Sequence, residues 1–135
     1  MKRTQRMTAL LAGCLAFTAL GIQPATADWT DCPSNSLCLW DDTSYTDTRK
    51  DTTVSDSHMH LPPYIIGFND KASSVRNNTQ YAWVLFDDDT YEDRRYCLKP
   101  GLRIYHLGLD QWKFNDKVSS VLKLSTGSCG SYPVF

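Results

Sequence analysis

Positive charge is scarce once the N-terminal end is set aside. Of the 14 lysines and arginines in the 135-residue chain, Lys2, Arg3 and Arg6 stand at the very start, whereas all 15 acidic residues lie beyond residue 27. Residues 28–135 therefore carry a net charge of −4, which argues against nucleic acid or a phosphate-rich surface as partner. Beyond Ile22 no apolar run approaches the length of a membrane-spanning helix. No C-x-x-C pair is present, so the usual spacing of a structural zinc site is missing. No G-x-S-x-G or comparable nucleophile setting occurs, and an enzyme is not expected. Seven glycines and six prolines are too few for a collagen-like or low-complexity chain.

The N-terminal 27 residues have a different character. Lys2, Arg3 and Arg6 form a positive start, Thr8 to Ile22 an apolar stretch, and Ala25-Thr26-Ala27 an A-x-A cleavage site, the layout of a secretory signal peptide. Leu11-Ala12-Gly13-Cys14 offers a lipoprotein reading, but the apolar stretch runs on past the cysteine. The expected mature protein is a single domain over 28–135, secreted to the extracellular space, monomeric and free of the membrane. Removal of Cys14 leaves Cys32, Cys38, Cys97 and Cys129, an even set in an exported chain, for which two disulfides are expected. Of the three pairings, spacing favours Cys32 with Cys38, which leaves Cys97 with Cys129.

The mature region contains an internal repeat. Residues 37–76 laid over 83–122 at a constant offset of 46 agree at 15 of 40 positions. Leu39-Trp40-Asp41-Asp42 falls on Leu85-Phe86-Asp87-Asp88, and Phe68-Asn69-Asp70-Lys71 on Phe114-Asn115-Asp116-Lys117. Each copy reads as β-structure: Leu37 to Trp40 and Tyr81 to Phe86 are short aromatic and branched runs bounded by aspartates, and Val121 to Leu124 alternates in period two. Pro62-Pro63 and Pro100-Gly101 punctuate loops. Asn77-Asn78-Thr79-Gln80 is a short connection, so two copies of this size are expected to share one all-β sandwich core of about eight strands.

An aromatic pair spaced by four residues (Trp40 to Tyr45, Phe86 to Tyr91), followed by Asn-Asp-x-x-Ser-Ser (Asn69 to Ser74, Asn115 to Ser120), occurs in both copies. This arrangement resembles the βγ-crystallin superfamily. The resemblance implies a sandwich of two Greek keys, the first about 37–80 and the second about 81–126, with two calcium sites. The ligands it implies are the side chains of Asn69, Asp70, Asn115 and Asp116, the hydroxyls of Ser73 and Ser119, and the backbone carbonyls of Lys71 and Lys117. A further carbonyl is expected from each corner, near Thr43 and Asp89. Calcium takes six to eight such oxygens, and an extracellular module binds it with a dissociation constant of ~10⁻⁴ to 10⁻³ M. The plainer reading is that these residues cap turns without metal. Where the superfamily's corner carries glycine, this chain has Asp47 and Asp93, which are expected to tolerate the left-handed backbone.

Cys-Pro-x-x-x-Leu-Cys-Leu (Cys32 to Leu39) ahead of a crystallin unit is, more closely, similar to the bacterial secreted metalloproteinase-inhibitor family. That likeness implies a peptidase inhibitor acting on a secreted thermolysin-like protease, with Cys97-Leu98 as the local chemistry of the inhibitory contact. The alternative is a non-inhibitory calcium-binding structural or stress protein, or a killer-toxin-like exported crystallin. His58-x-His60 and the aspartate runs 41–42 and 87–89 read as loop and turn residues. Trp29, Trp40, Trp83 and Trp112 read mainly as core aromatics.

Overall fold

The computed structural model describes residues 28–56 and 68–135. The proposed signal peptide and the His58-x-His60 pair lie outside them. Among the described residues seven strands form two antiparallel sheets, preceded by a short 3-10 turn at Trp29–Asp31. The first sheet contains β1 (Ser36–Trp40), β2 (Arg49–Thr53), β3 (Ser74–Asn78) and β6 (Arg103–Ile104), in the order β2-β1-β3-β6. The second contains β4 (Trp83–Phe86), β5 (Arg95–Leu98) and β7 (Ser120–Lys123), in the order β5-β4-β7.

The repeat in sequence is a repeat in register. Trp40 sits opposite Arg49 on one side and Ser74 on the other, and Phe86 sits opposite Arg95 and Ser120 in the same way. The halves are nevertheless not one sheet each, as a simple face-to-face packing of two four-stranded units would require. Strand β6 leaves the second half and pairs with β3 of the first. The positions equivalent to β6 in the first half, 57–58 by the same offset, lie outside the described residues.

The central strands β1 and β4 are buried along their whole length. Side chains alternate across a strand, so each of these strands needs cover on two faces. The inward set, with Leu37, Leu39, Val75, Trp83, Leu85, Leu98, Phe114 and Val121, forms the core between the sheets. Outward, Cys38 and Trp40 are covered by Cys32 and Tyr45, with Trp29 packed against them. The outward side of β4, Val84 and Phe86, is covered by Cys97 and Cys129, with Tyr91 and Tyr132 packed alongside. The expected corners form: Trp40 meets Tyr45 edge-on at 5.3 Å and Phe86 meets Tyr91 edge-on at 5.1 Å between ring centres.

Both disulfides form in the pairing that spacing favoured, Cys32–Cys38 and Cys97–Cys129. Each lies on the outer face of a sheet, so each cystine closes a small satellite core where a β-sheet would otherwise face water. A bridge also restricts the unfolded chain, more so for a longer loop. Removing Cys97–Cys129, with its separation of 32 residues, is therefore expected to cost about 3 to 4 kcal/mol, and removing Cys32–Cys38, with a separation of 6, about 2 kcal/mol. Urea unfolding of the paired Cys→Ala variants checks both the size and the order.

Candidate functional site

The Asn-Asp-x-x-Ser-Ser segments stand where each half crosses to the other. Asp70 and Asp116 take the left-handed backbone, with φ of 55° and 53°, which turns the chain sharply just before β3 and β7. The turn aims each segment at its counterpart. The Asp70 amide donates to the Val118 carbonyl at 3.1 Å and the Asp116 amide to the Ala72 carbonyl at 3.0 Å. Asn69 and Asn115 each donate a side-chain N–H to the carboxylate of the aspartate that follows, at 3.0 and 2.8 Å.

Within each serine doublet the two hydroxyls do different things. The second serine, Ser74 or Ser120, is fully buried and ties its own corner: Ser74 Oγ donates to the Asp42 carbonyl at 2.7 Å and accepts from the Tyr45 amide at 3.0 Å. Ser120 Oγ donates to the Asp88 carbonyl at 2.6 Å. The first serine reaches across the pseudo-twofold instead. Ser119 Oγ lies 2.8 Å from Asp70 Oδ1, and Ser73 Oγ lies 3.4 Å from Asp116 Oδ1. Sequence alone marks the doublets but cannot separate these roles, because the two residues are chemically identical.

Around Ser119 the oxygens outnumber the protons. Its single hydroxyl hydrogen faces Asp70 Oδ1, the Asp87 carbonyl at 3.1 Å and the Lys117 carbonyl at 3.3 Å. In the second half of the clamp Asn115 Oδ1 is buried without a hydrogen-bond partner. An unpaired acceptor away from water is costly, and a surplus of oxygens over donors is the donor set that a hard cation satisfies. Among the described residues no three His, Cys, Asp or Glu side chains converge. The cluster is thus one carboxylate with neutral hydroxyl and carbonyl oxygens, donor types that a hard cation such as calcium takes.

The other implied ligands are distributed less evenly. The Lys117 carbonyl is at Ser119, whereas Lys71 is an exposed residue of the equivalent turn. The corner carbonyls that reach the doublets belong to Asp42, Asp87 and Asp88. The Thr43 carbonyl accepts from its own turn, through the Thr46 hydroxyl at 2.9 Å, and Asp89 is exposed. Asp47 adopts the left-handed conformation expected of it, with φ of 65°, but Asp93 does not; the corner tyrosines Tyr45 and Tyr91 share that conformation, with φ of 63° and 66°, whereas Ser44, with φ of 57°, takes it only in the first corner. The two corners therefore turn by different backbone routes to the same aromatic contact. The Thr90 hydroxyl, 2.6 Å from Asp88, holds that carboxyl below its usual range, with backbone N–H groups of the corner adding to the effect. Burial raises the Tyr45 phenol above its ordinary range, against the pull of Arg103 and Arg76.

Cys97-Leu98 cannot be an inhibitory contact in this fold. Both residues are completely buried, Cys97 in its disulfide and Leu98 in the main core. A cysteine followed by an apolar residue looks the same in sequence whether it lies in a contact loop or in a buried strand; here the pair closes β5.

The polar network that sequence reading missed lies at the end of β3 and just beyond it; Asn77 and Asn78, expected in a connection, are strand residues. Asn77 is fully buried, and its side chain donates to the Tyr81 carbonyl at 2.7 Å and the Leu98 carbonyl at 3.1 Å while accepting from Thr79. Thr79 Oγ1 in turn accepts from the indole N–H of Trp83 at 3.1 Å. Only the absence of a matching Asn-x-Thr after the second copy hints at it in sequence.

Solved structures similar to this chain share the βγ-crystallin fold. A structure concerned with the evolution of the eye-lens βγ-crystallin domain fold aligns with a TM-score of 0.56 at 20% identity, covering 68% of this chain and 88% of that one. A βγ-crystallin from Ciona intestinalis aligns with a TM-score of 0.52 at 24% identity over 66% of this chain and 99% of that one. The N-terminal domain of protein S aligns at 0.51 and 15% identity over 69% of this chain and 99% of that one. At these identities the likeness defines the fold alone. No curated protein matches the chain. The model of the peptidase inhibitor family I36 matches residues 25–98, more than half of the sequence, and the chain belongs to that family. Membership places it among inhibitors rather than enzymes and makes a protease its target class.

The division of labour in the doublets is testable. Ser74→Ala removes the partner of the Tyr45 amide and the Asp42 carbonyl, and Ser120→Ala that of the Asp88 carbonyl; each is expected to cost about 1 to 3 kcal/mol. Ser73→Ala and Ser119→Ala, which relieve a crowded oxygen cluster, are expected to cost less in metal-free protein. Chemical denaturation of the four variants in chelator checks the ranking.

Proposed function

We propose that the protein is an exported inhibitor of a secreted, thermolysin-like metalloproteinase, and that calcium at the two doublet clamps stabilises it. The observation that carries the inhibitor reading is the family match across residues 25–98, which spans the whole first half and the first two strands of the second. Export is supported by the signal-like N-terminus and by two cystines, which persist in oxidising surroundings. Among the described residues no helix is long and apolar enough to cross a membrane.

The fold suits inhibition for a physical reason. A peptidase cleaves segments that can adopt an extended shape in its cleft, and a segment held rigidly on a cystine-braced sandwich resists that adjustment while losing little conformational freedom on binding. Calcium contributes at a distance from any such contact. Asp70, Ser119 and the carbonyls of Asp87 and Lys117 would hold one ion, and Asp116, Asn115 and Ser73 the other. Each ion would join the two halves, because each set takes oxygens from both.

Two measurements follow. Calcium at 100 times its dissociation constant is expected to stabilise the chelator-stripped protein by about 2.7 kcal/mol. No calorimetric heat at millimolar calcium and an unchanged melting temperature would remove the metal from the account. Micromolar protein is expected to slow peptide hydrolysis by thermolysin, and full activity at that concentration would count against the proposed target class.

A further inference from the structure

The two ends of strand β3 carry opposite kinds of surface. Its start, Ser74, directly follows Ser73 of the oxygen-rich clamp, and its end, Asn78, lies about 13 Å further along at the strand's rise per residue. At that far end consecutive residues fasten two exposed loops. The Asn77 amide donates to the Leu102 carbonyl at 2.9 Å, and the Asn77 carbonyl accepts from Gly101 at 3.0 Å. The Asn78 carbonyl accepts from Asn35 at 2.9 Å, and its side-chain amide donates to the Cys32 carbonyl at 2.9 Å and the Pro33 carbonyl at 3.0 Å.

The loops so held are the disulfide-closed turn Pro33 to Asn35 and the β5–β6 turn Lys99 to Leu102. They flank β3 through β1 and β6, and so stand about 10 Å apart, two strand spacings. The second is fixed at its own waist too, by Leu102 N–H to the Lys99 carbonyl at 3.2 Å, with Gly101 supplying the left-handed φ of 74° that this turn needs. Its base is β5, which carries the Cys97–Cys129 bridge. Leu102 nevertheless leaves 38% of its surface in water, one of three large apolar side chains to do so among the described residues; Tyr105, beyond β6, is another at 54%. The exposed part of the Leu102 side chain gains nothing from burial in the monomer.

The geometry points to Leu102 as the anchor by which this protein enters its target protease, with the Pro33 to Asn35 turn as a second, polar edge of the same contact. This rests on the inhibitor reading above and replaces the buried Cys97-Leu98 as its location. The occupant of this surface is the cleft of a peptidase that accepts a branched aliphatic side chain and is acidic at its rim. Leu102 is flanked by exposed Lys99 and Arg103, and neither loop carries a carboxylate, although residues 28–135 as a whole are acidic. The Leu102 N–H and carbonyl are both engaged within the inhibitor, with Lys99 and Asn77, so the side chain docks while the backbone stays tied to its own fold.

The test is inhibition of a panel comprising thermolysin, subtilisin and trypsin by the disulfide-bonded wild type and by Leu102→Asp, Leu102→Ala and Lys50→Asp, with melting temperatures recorded for each. Lys50, exposed on β2, controls for charge. The expected result is a rise of about 30-fold or more in inhibition constant for both Leu102 variants, the loss typical of an interface anchor, with Lys50→Asp unchanged. Should Leu102→Asp melt early, the smaller Leu102→Ala truncation decides. Undiminished inhibition by a folded Leu102 variant overturns this inference and leaves the inhibitor function standing. Failure of the wild type against every panel member overturns both.

Discussion

The structure depends on a reciprocal crossing. Asp70 of the first half gives its amide to Val118 of the second, and Asp116 of the second gives its amide to Ala72 of the first. These two bonds sit at sharp left-handed turns, so each half places the strand that follows, β3 or β7, against the other's turn. The exchange of β6 into the first sheet adds a second crossing. A duplicated unit of this size has too little core to stand alone, and these crossings convert two marginal units into one cooperative body whose inner faces share Leu37, Leu39, Trp83, Leu85 and Phe114.

Burial of both faces of β1 and β4 follows from that arrangement and explains the placement of cystine and aromatics. A strand flanked by partners on both edges and a core on one face still has an outer face to cover. In the first half Cys32, Cys38, Trp40 and Tyr45 do this, and in the second Cys97, Cys129, Phe86 and Tyr91. The duplication preserved the aromatic corner but not the cystine positions, because the outer cover needs bulk and exclusion of water, which a bridge can supply from more than one pair of positions.

Much of this was legible in sequence because duplication is a long-range signal. The constant offset specified which strands correspond, and the aromatic spacing located both corners. The doublets marked the clamp, although the separate duties of Ser73 and Ser74 emerge only from where each hydroxyl points. The inhibitory segment was not legible. Cys97-Leu98 has the residue types of a reactive loop but the environment of a strand, and burial is a property of the whole fold rather than of a dipeptide. Asn77 and Asn78 were equally opaque: as sequence they read as a polar connection, and in the fold they anchor two loops. Asp93 illustrates the limit of transfer by analogy even within one chain, since Asp47 takes the left-handed backbone and its counterpart does not.

The result is a molecule with two poles, an oxygen-rich clamp that joins the halves and, at the other end of β3, a pair of loops of which one is uncharged and polar and the other carries Lys99 and Leu102. The proposed contact puts the protease at the second pole. Hydrogen exchange of the inhibitor with and without bound protease tests this most directly: slowed exchange is expected in 99–106 and 33–36, with amides of 69–74 and 115–120 unaffected. Protection confined to the serine-doublet segments would contradict it.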